Sequence, residues 1–227
     1  MIKFFIFYFI FLFSVTFSDI SYNSNNIFYW AYQASEAFDF IHSIKDIKSL
    51  YRDIRPSNMI LDQKGLNLKI IDFGFQDDLN PYPSKNGSLF YVAPELFLNK
   101  KNTEKKKYNK KSDVYSWALT FWQCCTKVVP FMKFNNELEV FFMKTNSAFR
   151  LKDIDNLSDK KTEKFNNLIQ KCSSFKPKSR QTMKEVFNEM KDILENIQPE
   201  PLTLEISKIL NFEHFEQRKS QSLMIVS

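Results

Sequence analysis

Apolar side chains at Ile27, Ala31, Ala34, Phe38 and Ile41 recur at alternating spacings of four and three. That is one face of an α-helix and predicts a helix over about 26–43. The stretch "NMILDQKGLNLKII" then carries β-type residues at Met59–Leu61 and Leu68–Ile71 around a turn containing Gly65, the pattern of a tight hairpin. "FQDDLNPYPSKNGSLFYV" is polar, interrupted by proline and without periodicity, so a long loop is expected. "SDVYSWALTFWQCC" (Ser112–Cys125) is apolar nearly all round, which predicts a buried central helix capped by Ser112 or Asp113. "DKKTEKFNNLIQKC" and "RQTMKEVFNEMKDILENI" read as two further amphipathic helices. There is no internal repeat. From Gln198 the chain turns polar, with "LTLEISKIL" offering a turn or two of helix. The expected fold is therefore mainly α with one short β-hairpin.

Composition changes that picture in three places. A chain of 227 residues can build one substantial core or two small ones. Gly65, Gly74 and Gly87 are its only glycines and stand far apart, which excludes a G-x-G-x-x-G phosphate loop. The formal charge of +6 owes much to "NKKNTEKKKYNKK", where seven Lys fall between Lys100 and Lys111. That run reads as a solvated insertion or a docking patch for an acidic partner. No aromatic platform interleaves it, so nucleic acid is not an expected partner. Cys124, Cys125 and Cys172 fit neither a disulfide framework nor a zinc spacing and read as reduced thiols, which suits the cytoplasm. His42 and His214 are the only histidines, too few for a His-based metal site or triad.

The amino terminus points elsewhere. "MIKFFIFYFIFLFSVTFS" holds ten uninterrupted apolar residues from Phe4 to Phe13, short for a bilayer span but fitting a signal peptide over residues 1–18. The sequons at Asn86 and Asn156 would become glycosylation acceptors if the chain entered the secretory pathway. Membrane tethering or secretion is the alternative to a cytoplasmic location. Residues 19–198 are the expected folded domain and 199–227 a polar tail.

The chemistry sits in "YRDIRPSN", where Asp53 precedes Asn58 by five residues with a cation between them. Taken with "DFG" at Asp72, "APE" at Glu95, "SDVYSW" and a late Arg180, the order resembles a eukaryotic protein kinase from its catalytic loop to its last large helix, over roughly residues 26–196. "NGSLFYVAPELF", "KSDVYSW" and "KCSSFKPKSRQTMKEV" look most like the mitogen-activated kinase kinase kinases, of the transforming-growth-factor-β-activated kinase type. The resemblance implies a kinase C-lobe fold and phosphoryl transfer from Mg-ATP to a protein hydroxyl, in which catalysis is positioning and charge neutralisation. By the same resemblance, Asp53 would accept the proton of the substrate hydroxyl and Asn58 and Asp72 would hold Mg²⁺ through hard oxygens. Arg55 stands in the place of a lysine that grips phosphate, and Tyr51 in the place of a scaffold histidine. With Pro56-Ser57 following Arg55, Ser/Thr specificity is expected, and Ser88 falls where a hydroxyl helps to fix the catalytic Asp. Arg52 would pair with a phosphorylated activation loop, whose candidate acceptors are Ser84, Ser88 and Tyr82. Glu95 and Arg180 would form a buried ion pair, and Asp113 would cap the catalytic-loop backbone.

Against activity stands the absence from this sequence of a Gly-rich lid, a strand Lys and a helix Glu before the catalytic loop. One expectation is a fragment of a Ser/Thr kinase acting on a protein substrate under an upstream kinase or adaptor. The other is a pseudokinase-like lobe that binds proteins without turning over ATP.

Overall fold

The computed structural model describes residues 22–44, 50–62, 64–72, 88–97, 108–134, 136–154, 159–199 and 201. The leader, Ser84, Tyr82, Phe73, Gly74, most of the Lys-rich run, both sequon asparagines and the "LTLEISKIL" stretch lie outside them.

Five α-helices and one hairpin make up the described fold: α1 (Ser24–Ser43), β1 (Met59–Leu61), β2 (Leu68–Ile70), α2 (Lys110–Thr126), α3 (Glu137–Thr145), α4 (Lys160–Cys172) and α5 (Met183–Ile193). The mainly helical expectation with a single hairpin holds. Helix α1 starts on a capping box between Asn23 and Asn26, and the five stripe residues named above are all buried. A second buried row on α1, Phe28, Trp30, Ser35 and His42, gives it neighbours on more than one side. It packs along α5 and also meets α2 and β2. The aromatic pair Phe28 and Phe165, with ring centroids 4.9 Å apart, brings in α4.

The hairpin is antiparallel, with Met59 opposite Ile70 and Leu61 opposite Leu68. Gly65 sits in its turn at φ 68°, a left-handed conformation that a residue without a Cβ adopts cheaply. Two side chains of α1 hold the hairpin. Trp30 Nε1 donates to Gly65 O at 2.7 Å, and the Gln33 amide pairs with Leu66 O and Leu68 N–H at 2.8 and 2.9 Å.

Helix α2 runs through the core, with Val114, Trp117, Ala118, Leu119 and Phe121 fully buried. Two sequence expectations need correction here. Its cap is Asn109, whose side chain accepts from the N–H groups of Lys111 and Ser112, so the helix begins before Ser112 and Asp113. Its interior is also less apolar than its composition suggests, because Asp113, Ser116, Thr120 and Gln123 are buried and recur at spacings of three, four and three. Helix α3 was not expected at all. Helices α4 and α5 start on Asp159 and Thr182, so Arg180 and Gln181 precede α5. All three cysteines are free thiols, with Cys124 and Cys172 buried.

Candidate active site

The stretch from Tyr51 to Asn58 has no regular structure until a single 3-10 turn at Pro56–Asn58, so its shape must come from outside. Helix α2 supplies it. Asp113 Oδ2 accepts from Tyr51 N–H and Oδ1 from Arg52 N–H, each at 2.9 Å. These bonds hold Arg52 at φ 74°, a left-handed conformation that costs a non-glycine residue of order 1–3 kcal/mol. His42 Nε2 lies 2.9 Å from Asp113 Oδ2, so the carboxylate has a partner on each side. About two helical turns further on, Thr120 Oγ1 shares its hydroxyl between Ile54 O at 3.3 Å and Ser116 O at 2.8 Å.

Within the loop, the Asn58 amide nitrogen donates to Asp53 Oδ2 at 2.7 Å and to Asp53 O at 2.8 Å. Both amide hydrogens are thereby used, and the amide oxygen is the polar atom that remains. Arg55 Nε sits 3.3 Å from Asp53 Oδ2, and each of these two side chains is 19% exposed. The hairpin returns to the same point: Ile71 N–H donates to Asn58 O at 3.0 Å, and the Tyr51 phenol donates to Ile71 O. Asp72, the next residue, is exposed at φ 55°. Burial first, then the charges of Asp53 and Asp72, push the Tyr51 phenol well above the ordinary tyrosine range, while Arg55 opposes them. Asp53, Arg55, Asn58 and the backbone leading into Asp72 thus meet at one place.

The donor set suits a hard cation, with an amide oxygen and carboxylates rather than sulfur or imidazole. Among the described residues no cluster of three or more His, Cys, Asp or Glu could hold a metal ion by itself. A cation here would complete its shell with phosphate and water, as Mg²⁺ does in nucleotide sites.

A second wall is the stretch from Ser88 to Phe97, which carries 3-10 turns at Ser88–Phe90 and Pro94–Leu96. Ser116 Oγ donates to Tyr91 O at 2.9 Å, and the Tyr91 phenol donates to Gln123 Oε1. Glu95 meets Arg180 in a bidentate pair, with Nη1–Oε1 at 2.9 Å and Nη2–Oε2 at 2.8 Å. The remaining Arg180 donors reach the carbonyls of Lys111, Phe175 and Ser174, so all five N–H groups are used. The Tyr115 ring covers the guanidinium at 4.9 Å. Arg52 lies 5.8 Å from the centroid of Tyr108, the last residue before the α2 cap.

Over residues 11–190 the sequence matches the protein kinase domain family. The chain belongs to that family. It is 36% identical over 108 residues to mitogen-activated protein kinase kinase kinase 7 of Drosophila melanogaster, covering 47% of this chain and 15% of that protein. A kinase kinase kinase 7-like protein of the same organism is 31% identical over 159 residues, covering 69% and 39%. The Homo sapiens mitogen-activated protein kinase kinase kinase 7 is 28% identical over 174 residues, covering 76% and 27%. The chain therefore spans well under half the length of these relatives.

Several residues of the site escape a reading of the sequence. His42 carries no motif in the sequence, yet it faces Asp113. Ser116, Thr120 and Gln123 were absorbed into an apolar helix, although their spacing with Asp113 marks one polar stripe. Lys144, on the unexpected α3, had no signal at all.

Proposed function

We propose that this chain provides the catalytic and acceptor-binding part of a protein serine/threonine kinase. The observation that carries the reading is the knot at Asn58, whose amide holds the Asp53 carboxylate while its carbonyl accepts from Ile71, one residue before Asp72. In this reading Asp53 takes the proton from a substrate hydroxyl as that oxygen bonds to the γ-phosphorus of ATP, whose bond to the β–γ bridging oxygen breaks to release ADP. Asn58 and Asp72 hold Mg²⁺, and Arg55 swings from Asp53 to meet the phosphate with its fork of donors. Bound Mg²⁺ would neutralise the charge that develops on the phosphates. Arg52 is the anchor for a phosphorylated activation segment, with Ser84 and Ser88 as candidate acceptors. Asp113, Glu95 and Arg180 keep the loops in place. A protein substrate and an upstream kinase or adaptor are the expected partners, and reduced thiols suit a cytoplasmic setting.

The test is transfer of radiolabelled γ-phosphate to a protein acceptor by the purified chain. Asp53→Asn should lower the rate at least about a hundredfold, and Asp72→Asn should remove the thermal stabilisation given by Mg-ATP. A second reading, a protein-binding lobe without turnover, is favoured by the engagement of Asp53 Oδ2 by both Arg55 and Asn58. A melting temperature unmoved by Mg-ATP would select it.

A further inference from the structure

Helix α3 places a lysine among its inward residues and two large apolar side chains outward. Leu138 and Phe142 are both 61% exposed, whereas Val140 and Lys144 are buried. The Lys144 amine enters the space between α3 and the stretch leading to Glu95, where Nζ donates to Phe90 O and to Val92 O, each at 2.8 Å. The rings of Phe131, Tyr115 and Phe97 surround it at 4.4, 5.2 and 6.0 Å. Among the described residues no carboxylate forms an ion pair with it.

This is a costly place for an amine. Burial, reinforced by the charge of Arg180 and opposed by that of Glu95, holds its pKa well below the ordinary lysine value. A methionine would fill similar space without that cost, so what the amine contributes is its two bonds. They flank Tyr91, whose own carbonyl is taken by Ser116 and whose phenol is taken by Gln123. Three consecutive carbonyls are therefore fixed by side chains of α2 and α3. Tyr91 also lies within electrostatic reach of Arg55 and Asp53, after burial and Cys124 in their effect on its phenol.

We propose that Lys144 is a positioning residue that sets the stretch Phe90–Val92, and with it the wall offered to a protein acceptor. The acceptor half of this statement rests on the kinase reading above.

The test compares the full chain with Lys144→Met, which keeps the stem, and Lys144→Arg, which keeps a cation able to donate to two carbonyls. Hydrogen exchange of the wild type and both variants is followed peptide by peptide. In Lys144→Met the amides of residues 89–93 should lose protection about tenfold or more, while those of α1, α4 and α5 keep theirs. Lys144→Arg should regain part of it. Unchanged protection at 89–93, or a loss spread evenly over every helix, overturns the proposal. In phosphoryl transfer, Lys144→Met should raise KM for the protein acceptor about tenfold and leave KM for ATP within about twofold. An equal rise in both overturns it. If the wild-type chain transfers no phosphate, the kinase reading has failed instead, and the exchange pattern alone decides the proposal.

Discussion

Where α1 lies along α5, contact is made by rings and small apolar groups: Tyr32 stacks on Phe187 at 5.2 Å, Ala31 and Ala34 are fully buried, and a half-exposed Lys184–Asp39 pair at 3.3 Å sits at the edge. Where α2 and α3 meet the loops, contact is made by Asp113, Ser116, Thr120, Gln123 and Lys144, each bonded to a loop atom. The two sides do different work. Apolar packing fixes how far apart two elements lie, and its loss is graded with the volume removed. Hydrogen bonds fix which atom faces which, and their loss leaves a buried group unsatisfied. The proposed site, which would have to aim a carboxylate and a metal ligand, needs the second kind.

The largest effect should come from Arg180, where both kinds of contact meet. Arg180→Ala leaves Glu95 with Ser112 Oγ as its remaining donor and takes the guanidinium from three carbonyls, and should cost about 3–5 kcal/mol in urea unfolding. A loss under about 1 kcal/mol would mean that water replaces the guanidinium, and that the polar side is softer than its geometry implies.

Phe38→Ala tests the apolar side. It empties a fully buried site beside Tyr51, whose ring lies 5.3 Å away, and should cost about 3–4 kcal/mol. The loss should appear as a uniform drop in exchange protection across the helices, because the whole core shares the cavity.

Thr120→Val is smaller and sharper. The swap keeps shape but removes the hydroxyl shared with Ile54 O, costing about 1 kcal/mol. Exchange in residues 52–58 should rise while α1 and α5 stay unchanged. Equal loosening of both regions would erase the distinction between them.

The pH effect is the gentlest. An unfolded Lys144 keeps its proton up to the ordinary value of 10.5, whereas the folded one releases it well below that. Between those two values the unfolded chain binds more protons, so the stability cost of burying Lys144 is present at lower pH and is relieved as pH rises towards 10.5. Relative to Lys144→Met, the wild type should gain stability with rising pH, by at most about 1.4 kcal/mol per unit. The raised pKa values of Tyr51, Tyr91 and Tyr115 act in the opposite direction, but they are common to both chains and cancel in the difference. A flat difference would mean that Lys144 stays charged in the fold.

The apolar side was legible before any coordinates. The stripe from Ile27 to Ile41 named the buried face of α1, and Gly65 named the hairpin turn. The polar side was legible only as a roster of residues. Asp53, Asn58 and Asp72 could be picked out by spacing, but nothing in the chain says that Ile71 returns to Asn58, or that Tyr51 reaches over to Ile71. Helix α3 escaped because "ELEVFFMKT" has a mixed pattern, with Leu138 and Phe142 outward and Lys144 inward beside Val140. A periodicity argument assumes that every inward position is apolar, and here Lys144 shares the core side with Val140 and Met143 because backbone carbonyls wait there.

What the sequence alone determined is local and periodic: which segments carry a regular apolar stripe, and where a turn must fall. Those features follow from backbone sterics and the repeat of apolar groups, which act over a few residues. The folded chain decided which buried polar side chain meets which loop atom. Such partners lie 25 and 66 residues apart in Ser116–Tyr91 and Thr120–Ile54. A bond between them has no signature at either end until the intervening helices bring the two together and exclude water.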